Sequence, residues 1–315
     1  MEHLASGELI ADAQRSIDAG FVEAGCNGAL HVLDLRTGYE VAVHADRPVV
    51  LASVFKIFVA LEVYAKVAEG LLDPAQHYEL KPGALTAGPT GASAFVDPAR
   101  VSLRDLCLMM LSVSDNAASD ILLAQVGIEA VNARLAACGC NSSHVEADLR
   151  TTFDQLAIDL GFEDYAQLAA ARSGALGPEA MAASHDARRI DASRAFDAKR
   201  TNRSTPRDIT RLLRAVWNDE AAPAQACAAL RAAMSQQVST RLGRELPDGA
   251  TLAAKTGSLT GRIRNEVGVI THVDGRAFAV AVFTHAHAPF RRVSAIEIEM
   301  AKGAASAISA LRSLS

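Results

Sequence analysis

Hydrophobic and polar residues recur with two different periods in the first part of the chain. Residues 5–20 have apolar positions at helical spacing, which predicts an amphipathic helix that ends at Gly20. In the next stretch, ALHVLDLRTGYEVAVHAD, apolar and polar residues alternate around Thr37 and Gly38. This alternation, with a turn-forming pair at its centre, predicts a β-hairpin.

The period becomes helical from Leu51 and remains so through a block of successive helices. One helix is predicted over residues 53–69, because Gly70 follows it as a stop signal. The segment SLRDLCLMMLSV opens with Ser102 and Asp105 at the spacing of a capping box. The segments NAASDILLAQVG and IEAVNARLAACG each end at a glycine and predict two further helices.

Residues 141–204 differ in composition from the rest of the chain. The stretch FDQLAIDLGFEDYAQLAAA keeps some helical period, but the residues after it are rich in Ala, Ser, Asp and Arg and poor in large apolar side chains. This composition predicts an exposed and mobile insertion. A new helix is predicted after it, with Thr205 as the N-cap, Pro206 at the first helical position and Asp208 completing a capping box.

The last third of the chain returns to the strand period. The segments ATLAAKTG, RNEVGVITHV and RAFAVAVFTH predict three strands, with Asp274 and Gly275 as a hairpin turn. A final helix is predicted from Ala295 to Leu311.

The order of these elements predicts the fold class. Two strands near the start and three near the end form one antiparallel five-stranded sheet, flanked by the first and last helices. We therefore expect an α/β fold of the α+β type, with a sheet lobe made of residues 1–48 and 207–315. An all-helical lobe at residues 49–206 is inserted between them and carries the insertion at 141–204.

Composition and charge narrow the classes of partner. The chain has 315 residues, of which 50% are hydrophobic, so a large core is expected. The net charge of −5 gives no basic surface for nucleic acid and argues against binding to an anionic membrane. Five cysteines without a framework spacing indicate free thiols in a reducing compartment.

The first twenty residues carry early acidic side chains and no apolar core of the kind found in a signal peptide. The sequence as it stands is therefore expected to be cytoplasmic. A secreted or periplasmic location is the alternative, if an export segment has been removed. The oligomeric state stays open.

The segment LASVFKIFVAL places two polar side chains in an apolar helix. Ser53 and Lys56 are three residues apart and point to the same side of the helix. A buried lysine has a lowered pKa and can take the proton of a serine hydroxyl, which then becomes a nucleophile. For an isolated match of this kind, a capping serine with a lysine reaching to solvent is the commoner explanation.

Two further motifs favour the catalytic explanation of Ser53 and Lys56. Ser114-Asp115-Asn116 follows a predicted helix, and the triplet KTG at Lys255 ends a predicted strand. The set S-x-x-K, S-D-N and K-T-G is the signature of class A β-lactamases and penicillin-binding proteins. The chain resembles this superfamily over most of its length, and is most similar to class A in the intervals between the motifs. The resemblance implies a β-lactamase/transpeptidase-like fold.

The resemblance also implies a role for each motif residue. Ser53 is the acylated nucleophile, Lys56 is its base or proton relay, and Ser114 passes protons to the leaving nitrogen beside Lys255. Asn116 binds the substrate amide. The substrate carboxylate meets the segment Lys255, Thr256, Gly257 and Ser258, and the backbone N–H groups of Ser53 and Ser258 form the oxyanion hole.

An arginine on the strand after the K-T-G motif pairs with the substrate carboxylate in many class A enzymes. Arg264 is the first candidate for this role, and Arg262 is the rival. An ordinary solvated strand arginine is an equally good explanation of either residue.

One part of the class A pattern is missing. Class A enzymes carry a glutamate that activates water to release the acyl group, in an E-x-x-L-N context that this sequence lacks. The corresponding position falls near Leu149, and the carboxyl groups of Asp148, Glu146 and Asp154 are close in sequence. Each of these three, taken singly, is better explained as an ordinary surface carboxylate. The acylation residues are thus present, whereas the deacylating base is replaced or absent.

Two smaller features complete the sequence analysis. The class A disulfide partner of Cys107 would fall at about Ala60, so no bridge is expected. His285 and His287 lie on one face of a strand, but no further ligand of metal-binding type follows, so neither a metal nor another cofactor is expected.

The sequence predicts a serine hydrolase that opens β-lactams, or related amides and esters carrying a carboxylate, through an acyl-enzyme. One alternative is an intracellular D,D-peptidase, esterase or acyltransferase with slow deacylation. Another is a protein that takes up one acyl group and holds it without turnover. A small molecule is the expected partner, and nucleic acid and membrane are not.

Overall fold

We describe residues 2–314 in a computed structural model of the chain. The α-helices are α1 Glu2–Ala24, α2 Lys56–Ala68, α3 Leu103–Ser112, α4 Asn116–Val126, α5 Ile128–Ala137, α6 Leu149–Leu160, α7 Tyr165–Arg172, α8 Pro178–Ser184, α9 Ala187–Ala192, α10 Pro206–Trp217, α11 Ala224–Met234 and α12 Val293–Arg312. The strands are β1 Cys26–Asp34, β2 Glu40–Val43, β3 Val49–Val50, β4 His77–Leu80, β5 Ala99–Ser102, β6 Arg203–Ser204, β7 Thr251–Leu259, β8 Ile263–Thr271 and β9 Ala277–Ala286.

A five-stranded antiparallel sheet is the centre of the fold, with strand order β2-β1-β9-β8-β7. The register pairs Leu30 of β1 with Val282 of β9, so strands from the two ends of the chain lie side by side. The predicted α+β fold with a five-stranded sheet is therefore confirmed. Strand β7 forms one edge of this sheet, and Lys255, Thr256 and Gly257 lie on it.

Helices α1 and α12 cover one face of the sheet. Phe21 of α1 and Met300 of α12 are buried in a core together with Leu30. Gly28 of β1 allows this packing, because a Cβ atom there would overlap the Phe21 ring. Helix α10 packs on the opposite face against β1 and β9. No helix within residues 2–314 has the length and apolar content that a bilayer crossing requires.

Helix α2 lies in the middle of the helical part, packed among α3, α4, α5 and α11. Most of its side chains are buried, including Ile57, Phe58 and Leu61. Such a helix is apolar around most of its circumference, and its buried Glu62 is paired with Arg134 of α5. The buried Lys56 at its first position is thus an exception that needs hydrogen-bond partners.

Several local predictions are confirmed. Ser102 caps α3 and accepts a hydrogen bond from the Asp105 amide, and Thr205 does the same for α10 with Pro206 at its first position. The hairpin turns fall where they were predicted, between β1 and β2 and at Gly275 between β8 and β9. The small ladders β3–β6 and β4–β5 and helix α11 were not predicted.

The predicted end of the first helix at Gly20 is wrong. Helix α1 continues to Ala24 and stops before Gly25, which has a φ of 85°. A Cβ atom at Gly20 would lie 2.1 Å from the Glu299 carboxylate of α12. Gly20 therefore lies inside the helix, facing the Glu299 side chain of α12, and does not terminate it.

In residues 141–204, the prediction that the part after FDQLAIDLGFEDYAQLAAA is exposed holds for Leu176 and Met181, whereas Ile190 and Phe196 are buried. The segment contains helices α6, α7, α8 and α9, which enclose a core of their own with Leu156, Leu160, Leu168 and Ile190 at its centre. The buried apolar residues of the segment are thus interspersed with exposed ones such as Ile158. Their low overall number hid this pattern in the sequence.

Candidate active site

Ser53 lies in a turn of 3-10 helix, Ala52–Phe55, that leads directly into α2. The prediction of a single helix starting at Ser53 is therefore wrong by one turn. Ala52 has a φ of 46°, a conformation that a non-glycine residue adopts only when its surroundings hold it. Asn265 of β8 helps to stabilise this conformation, because its Nδ2 donates to the carbonyl oxygens of Val50 (2.9 Å) and Leu51 (3.1 Å).

The edge strand β7 touches this turn through Gly257. A Cβ atom at Gly257 would lie 2.7 Å from the Leu51 carbonyl oxygen and 3.3 Å from the Ser53 nitrogen. Only glycine allows such a close approach of two backbones. The contact brings the K-T-G segment beside Ser53, although about two hundred residues separate them in sequence.

Lys56 is fully buried and its ammonium group contacts the turn that carries the S-D-N motif. Nζ donates to the carbonyl oxygen of Ser114 (2.6 Å), to Oδ1 of Asn116 (2.8 Å) and, at 3.3 Å, to Ser114 Oγ. Within the described residues, Lys56 makes no hydrogen bond to the Ser53 hydroxyl. Burial, together with the nearby charge of Lys255, lowers the pKa of Lys56 well below that of an ordinary lysine.

The S-D-N turn is held rigidly at the start of α4. Ser114 has a φ of 63°, and the buried Asp115 caps α4 by accepting from the amides of Ala117 and Ala118. The same carboxylate accepts from the Ala92 amide (2.6 Å). Asp115 thus fixes both the turn and the neighbouring loop, which keeps the Ser114 and Asn116 side chains directed at Lys56.

Lys255 is the second fully buried lysine of the site. Its Nζ donates to the Thr256 carbonyl oxygen (3.0 Å) and lies 3.5 Å from Oε1 of Gln237, and within the described residues it makes no hydrogen bond to Ser114. Burial and the Arg241 guanidinium lower the pKa of Lys255 to about 7. The same Gln237 oxygen accepts from the Thr256 amide (2.7 Å).

Two arginines converge on the Ser258 hydroxyl at the end of the K-T-G-S segment. Arg241 donates through Nη2 (2.7 Å) and Arg264 through Nη1 (3.2 Å). Arg262 instead donates to the Ala286 carbonyl oxygen and to Asp191. Of the two arginines considered from the sequence, it is therefore Arg264 that the structure places near the motif.

Sequence reasoning missed Arg241 and Glu266, which organise this side of the site. The buried Glu266 carboxylate accepts from the amides of Arg241 and Leu242, each at 2.6 Å, and so shapes the loop that carries Arg241. Burial raises the pKa of Glu266, while these amide hydrogen bonds oppose the rise. A polar Asn265-Glu266 pair inside an apolar strand was the available signal, because buried polar groups need partners.

The carboxyl groups proposed as a deacylating base lie apart from this cluster. Asp148 caps α6 by accepting from the Thr151 amide (2.7 Å), and Glu146 forms an ion pair with Arg203 (2.9 Å). Within the described residues, neither carboxylate makes a hydrogen bond to a residue of the three motifs. The role suggested for these two residues stays a prediction.

Leu149, near which the sequence places the expected position of the class A glutamate, is 5% exposed at the start of α6. Its amide donates to Oδ1 of Asp120 (2.9 Å), and the Arg150 amide donates to Oδ2 of the same carboxylate (3.0 Å). Asp120 also accepts from Thr86 Oγ1 (2.7 Å), and burial raises the pKa of its carboxyl. This carboxylate therefore serves as an anchor for the start of α6.

The remaining candidates from the sequence lie outside the cluster. His285 packs its ring against Phe196 at 6.2 Å between centroids, and His287 lies 3.3 Å from Oδ1 of Asn27. Cys107 is a buried free thiol, like three of the other four cysteines. Among the described residues there is no group of three or more side chains able to hold a metal ion.

Comparison with known proteins gives matches over nearly the whole chain. A family model described as the beta-lactamase enzyme family matches residues 12–311. A protein of Streptomyces cacaoi described as beta-lactamase regulatory protein BlaB is 34% identical over 281 residues, which cover 85% of this chain and 87% of that protein.

Solved structures share the fold. A beta-lactamase from Sphaerobacter thermophilus DSM 20745 matches with a TM-score of 0.72 and 23% identity, covering 95% of this chain and 97% of that one. A class A beta-lactamase from Mycobacterium abscessus matches with a TM-score of 0.73 and 17% identity, covering 96% and 99%. A mutant of PBP-A, solved as an acyl-enzyme complex with penicillin G, matches with a TM-score of 0.71 and 16% identity, covering 95% and 96%.

Proposed function

The chain belongs to the beta-lactamase enzyme family, and we propose that it is a serine hydrolase that opens β-lactams, or related amides and esters, through an acyl-enzyme at Ser53. The observation that carries this proposal is the buried Lys56, hydrogen-bonded to Ser114 and Asn116 one helical turn from Ser53. Burial and the charge of Lys255 lower the pKa of Lys56 despite the opposing charges of Asp115 and Asp120, so this lysine is poised to lose its proton.

In the proposed reaction, the Ser53 oxygen attacks the carbonyl carbon while its proton passes to neutral Lys56. The backbone N–H groups of Ser53 and Ser258 stabilise the negative charge that forms on the carbonyl oxygen. When the carbon–nitrogen bond breaks, Ser114 hands a proton to the leaving nitrogen and regains one from Lys56. The product is an ester of Ser53, and water must cleave it to complete hydrolysis.

The cationic side of the site suits a substrate that carries a carboxylate. Arg241 and Arg264 both point a guanidinium at Ser258, and Lys255 and Thr256 lie next to them on β7. Guanidinium and ammonium groups bind carboxylates through charge-assisted hydrogen bonds. We expect the substrate carboxylate to bind at the Ser258 hydroxyl, with Arg241 as a third partner beside Lys255 and Arg264.

Release of the acyl group is expected to be slow. Leu149 offers no base at the position that carries the glutamate in class A enzymes. The Asp120 carboxylate is occupied by two amides and a hydroxyl, and Asp148 and Glu146 are engaged in a helix cap and an ion pair. A water molecule at the ester would therefore lack the general base that typically accelerates such a step by about 10²–10⁴-fold.

A second function is favoured by the same observation. The protein could take up one acyl group and hold it, as a sensor or a regulator would. The name of the Streptomyces cacaoi relative, a beta-lactamase regulatory protein, is in line with this. This alternative differs from the first in one measurable respect, because it predicts one acylation per chain and no turnover.

Intact-mass measurement after incubation with penicillin G tests the proposal. The wild-type chain should gain the mass of one penicillin, and peptide mapping should place it on Ser53. Ser53→Ala should show no adduct, whereas Ser112→Ala, a serine of α3 outside the cluster, should label like the wild type. No adduct on the wild-type chain with penicillins or cephalosporins would refute both the hydrolase and the acyl-holding functions.

A further inference from the structure

A cavity of about 340 Å³ lies between residues 83–87 and helices α6 and α7. It is formed largely by the segment 141–204 that sets this sequence apart from the class A pattern. Its walls combine two aromatic rings, those of Phe153 and Tyr165, with the charged side chains of Arg150, Asp154 and Asp164. The rings stack on each other with their centroids 4.8 Å apart, which makes one wall flat and rigid.

The cavity adjoins the residues around Ser53 through a short hydrogen-bond chain. Asn116 accepts from Lys56 through Oδ1 and donates through Nδ2 to the carbonyl oxygen of Ala87 (2.9 Å), which lines the cavity. One helical turn further along α4, Asp120 holds Thr86 from one wall and the Arg150 amide from the other. Both walls are thus fixed to the helix that begins with the S-D-N motif.

The charges in the cavity are of both signs and are not neutralised by each other. Arg150 and Asp154 are four residues apart on α6 and therefore lie on one face of the helix. Neither forms an ion pair within the described residues. Arg150 donates to the Ala84 carbonyl oxygen (2.5 Å), and Asp154 accepts from the Tyr165 amide (3.1 Å), so both side chains are held in place.

We propose that this cavity binds the acyl group of the substrate and selects one that ends in an α-amino acid, with an ammonium and a carboxylate on the same carbon. Arg150 would bind the carboxylate, Asp154 the ammonium, and the rings of Phe153 and Tyr165 the methylene chain. A ligand with one charge would form a charge-assisted hydrogen bond with only one of these side chains, whereas a zwitterion can form one with each, which is why the zwitterion is favoured. This inference rests on the proposed acylation of Ser53.

Three cephalosporins that differ only in the acyl group test the selection. 7-Aminocephalosporanic acid is acylated with D-α-aminoadipate, with adipate, which lacks only the ammonium, or with thiophene-2-acetate, which has no charge. The rate of adduct formation at Ser53 is followed by intact mass. We expect the aminoadipyl compound to react about tenfold faster than the thienylacetyl compound, as one charge-assisted hydrogen bond suffices for this, with the adipyl compound between them.

Variants assign the preference to the cavity. Asp154→Asn should remove the advantage of aminoadipyl over adipyl, since an amide keeps the bond to the Tyr165 amide but loses the charge. Arg150→Gln should remove the advantage of adipyl over thienylacetyl, and Arg150→Lys should keep most of it. Glu163→Gln and Arg188→Gln change exposed charges of the same segment that do not line the cavity, and should leave the ratios unchanged.

The outcomes separate this inference from the proposed function. Equal rates of Ser53 labelling by all three compounds would overturn the proposed selection, while the proposed acylation of Ser53 would stand. A preference that survives both Asp154→Asn and Arg150→Gln would overturn the assignment to this cavity. No labelling by any of the three would refute the proposed function itself, and the role of the cavity as an acyl pocket with it.

Discussion

The residues around Lys56 and the residues around Leu149 contact helix α4 one turn apart, through Asn116 and Asp120, and their polar groups are used differently. Around Lys56, hydrogen bonds of polar side chains link three parts of the chain, because Asn116 of α4 joins Lys56 of α2 to the loop at Ala87. Around Leu149, the carboxylates instead accept hydrogen bonds from backbone amides. Asp120 binds the Leu149 amide at the start of α6, and Asp148 caps the same helix. We therefore propose that the polar side chains around Lys56 serve proton transfer, whereas those around Leu149 serve to hold the backbone in place.

This contrast teaches that forming and releasing an acyl group are separate properties of the chain. Acylation needs a nucleophile, a proton acceptor and a proton donor, and the residues proposed for these roles are Ser53, one turn before Lys56, and the hydrogen-bonded pair of Lys56 and Ser114. Release needs a base placed beside a water molecule, and the position expected for this base falls near Leu149, an apolar residue at the start of α6. A protein can therefore keep the first property without the second, and the contrast can be tested at single positions.

The largest expected effect comes from giving the Leu149 region a base. Leu149→Glu should accelerate release of the acyl group about 10²-fold, because a carboxylate beside the ester can activate water. The rate is measured by following loss of the Ser53 adduct by intact mass after removal of free substrate. Leu149→Gln has the same shape without the base and should release no faster than the wild type. Equal acceleration by both variants would contradict this explanation.

The next effect concerns the buried lysine on β7. The pKa of Lys255 is lowered from 10.5 to about 7, so the unfolded chain binds more protons between these pH values and stability should rise across this window. Below pH 7 the buried Lys255 is charged, and the full cost of burying this charge lowers the free energy of unfolding. We expect Lys255→Met to raise the free energy of unfolding by about 2 kcal/mol at pH 6, with the gain shrinking toward pH 10.

Urea unfolding of both proteins at pH 6, 8 and 10 measures this difference. Lys199→Met, at an exposed lysine of the segment before β6, is the control and should show no such pH-dependent gain. A gain for Lys255→Met that is constant across the three pH values would mean that the Lys255 ammonium is not destabilised by burial.

The smallest expected effect concerns recognition of the substrate carboxylate. Arg241→Met should lower the rate of Ser53 acylation by a β-lactam carboxylate about tenfold, which corresponds to one charge-assisted hydrogen bond. The methyl ester of the same β-lactam should react at nearly the same rate with both proteins. Arg262→Met removes a similarly buried arginine that faces Asp191 instead, and should leave acylation unchanged. If Arg262→Met slowed acylation and Arg241→Met did not, the substrate carboxylate would instead bind at Arg262.

The motifs and the fold could be predicted from the sequence because they depend on local patterns. The alternation of β1 and β2 around Gly38 and the capping residues of α3 and α10 each involve neighbours in sequence. Ser53 and Lys56 share one turn, and Ser114 to Asn116 are adjacent. Their assembly into one cluster was expected from the resemblance alone, and the contact of Gly257 with Leu51 gives it a physical basis.

What the sequence did not reveal depends on tertiary contacts. Arg241 lies in a loop without any periodic pattern, and only the Glu266 carboxylate, which binds its amide, places it near Ser258. The part of residues 141–204 that showed no helical period contributes only a few residues to the core, such as Ile190 and Phe196, too few to give a pattern in the sequence. Gly20 was taken for a helix stop, because its close neighbour Glu299 lies at the other end of the chain.

The central claim is that Ser53 is acylated readily and released slowly. Stopped-flow mixing with a chromogenic cephalosporin, combined with intact mass on the same time scale, tests it directly. We expect a burst close to one equivalent of product per chain, an adduct at Ser53 that appears at the same rate, and a much slower steady state afterwards. Hydrolysis that proceeds without a burst and without any Ser53 adduct would contradict the claim.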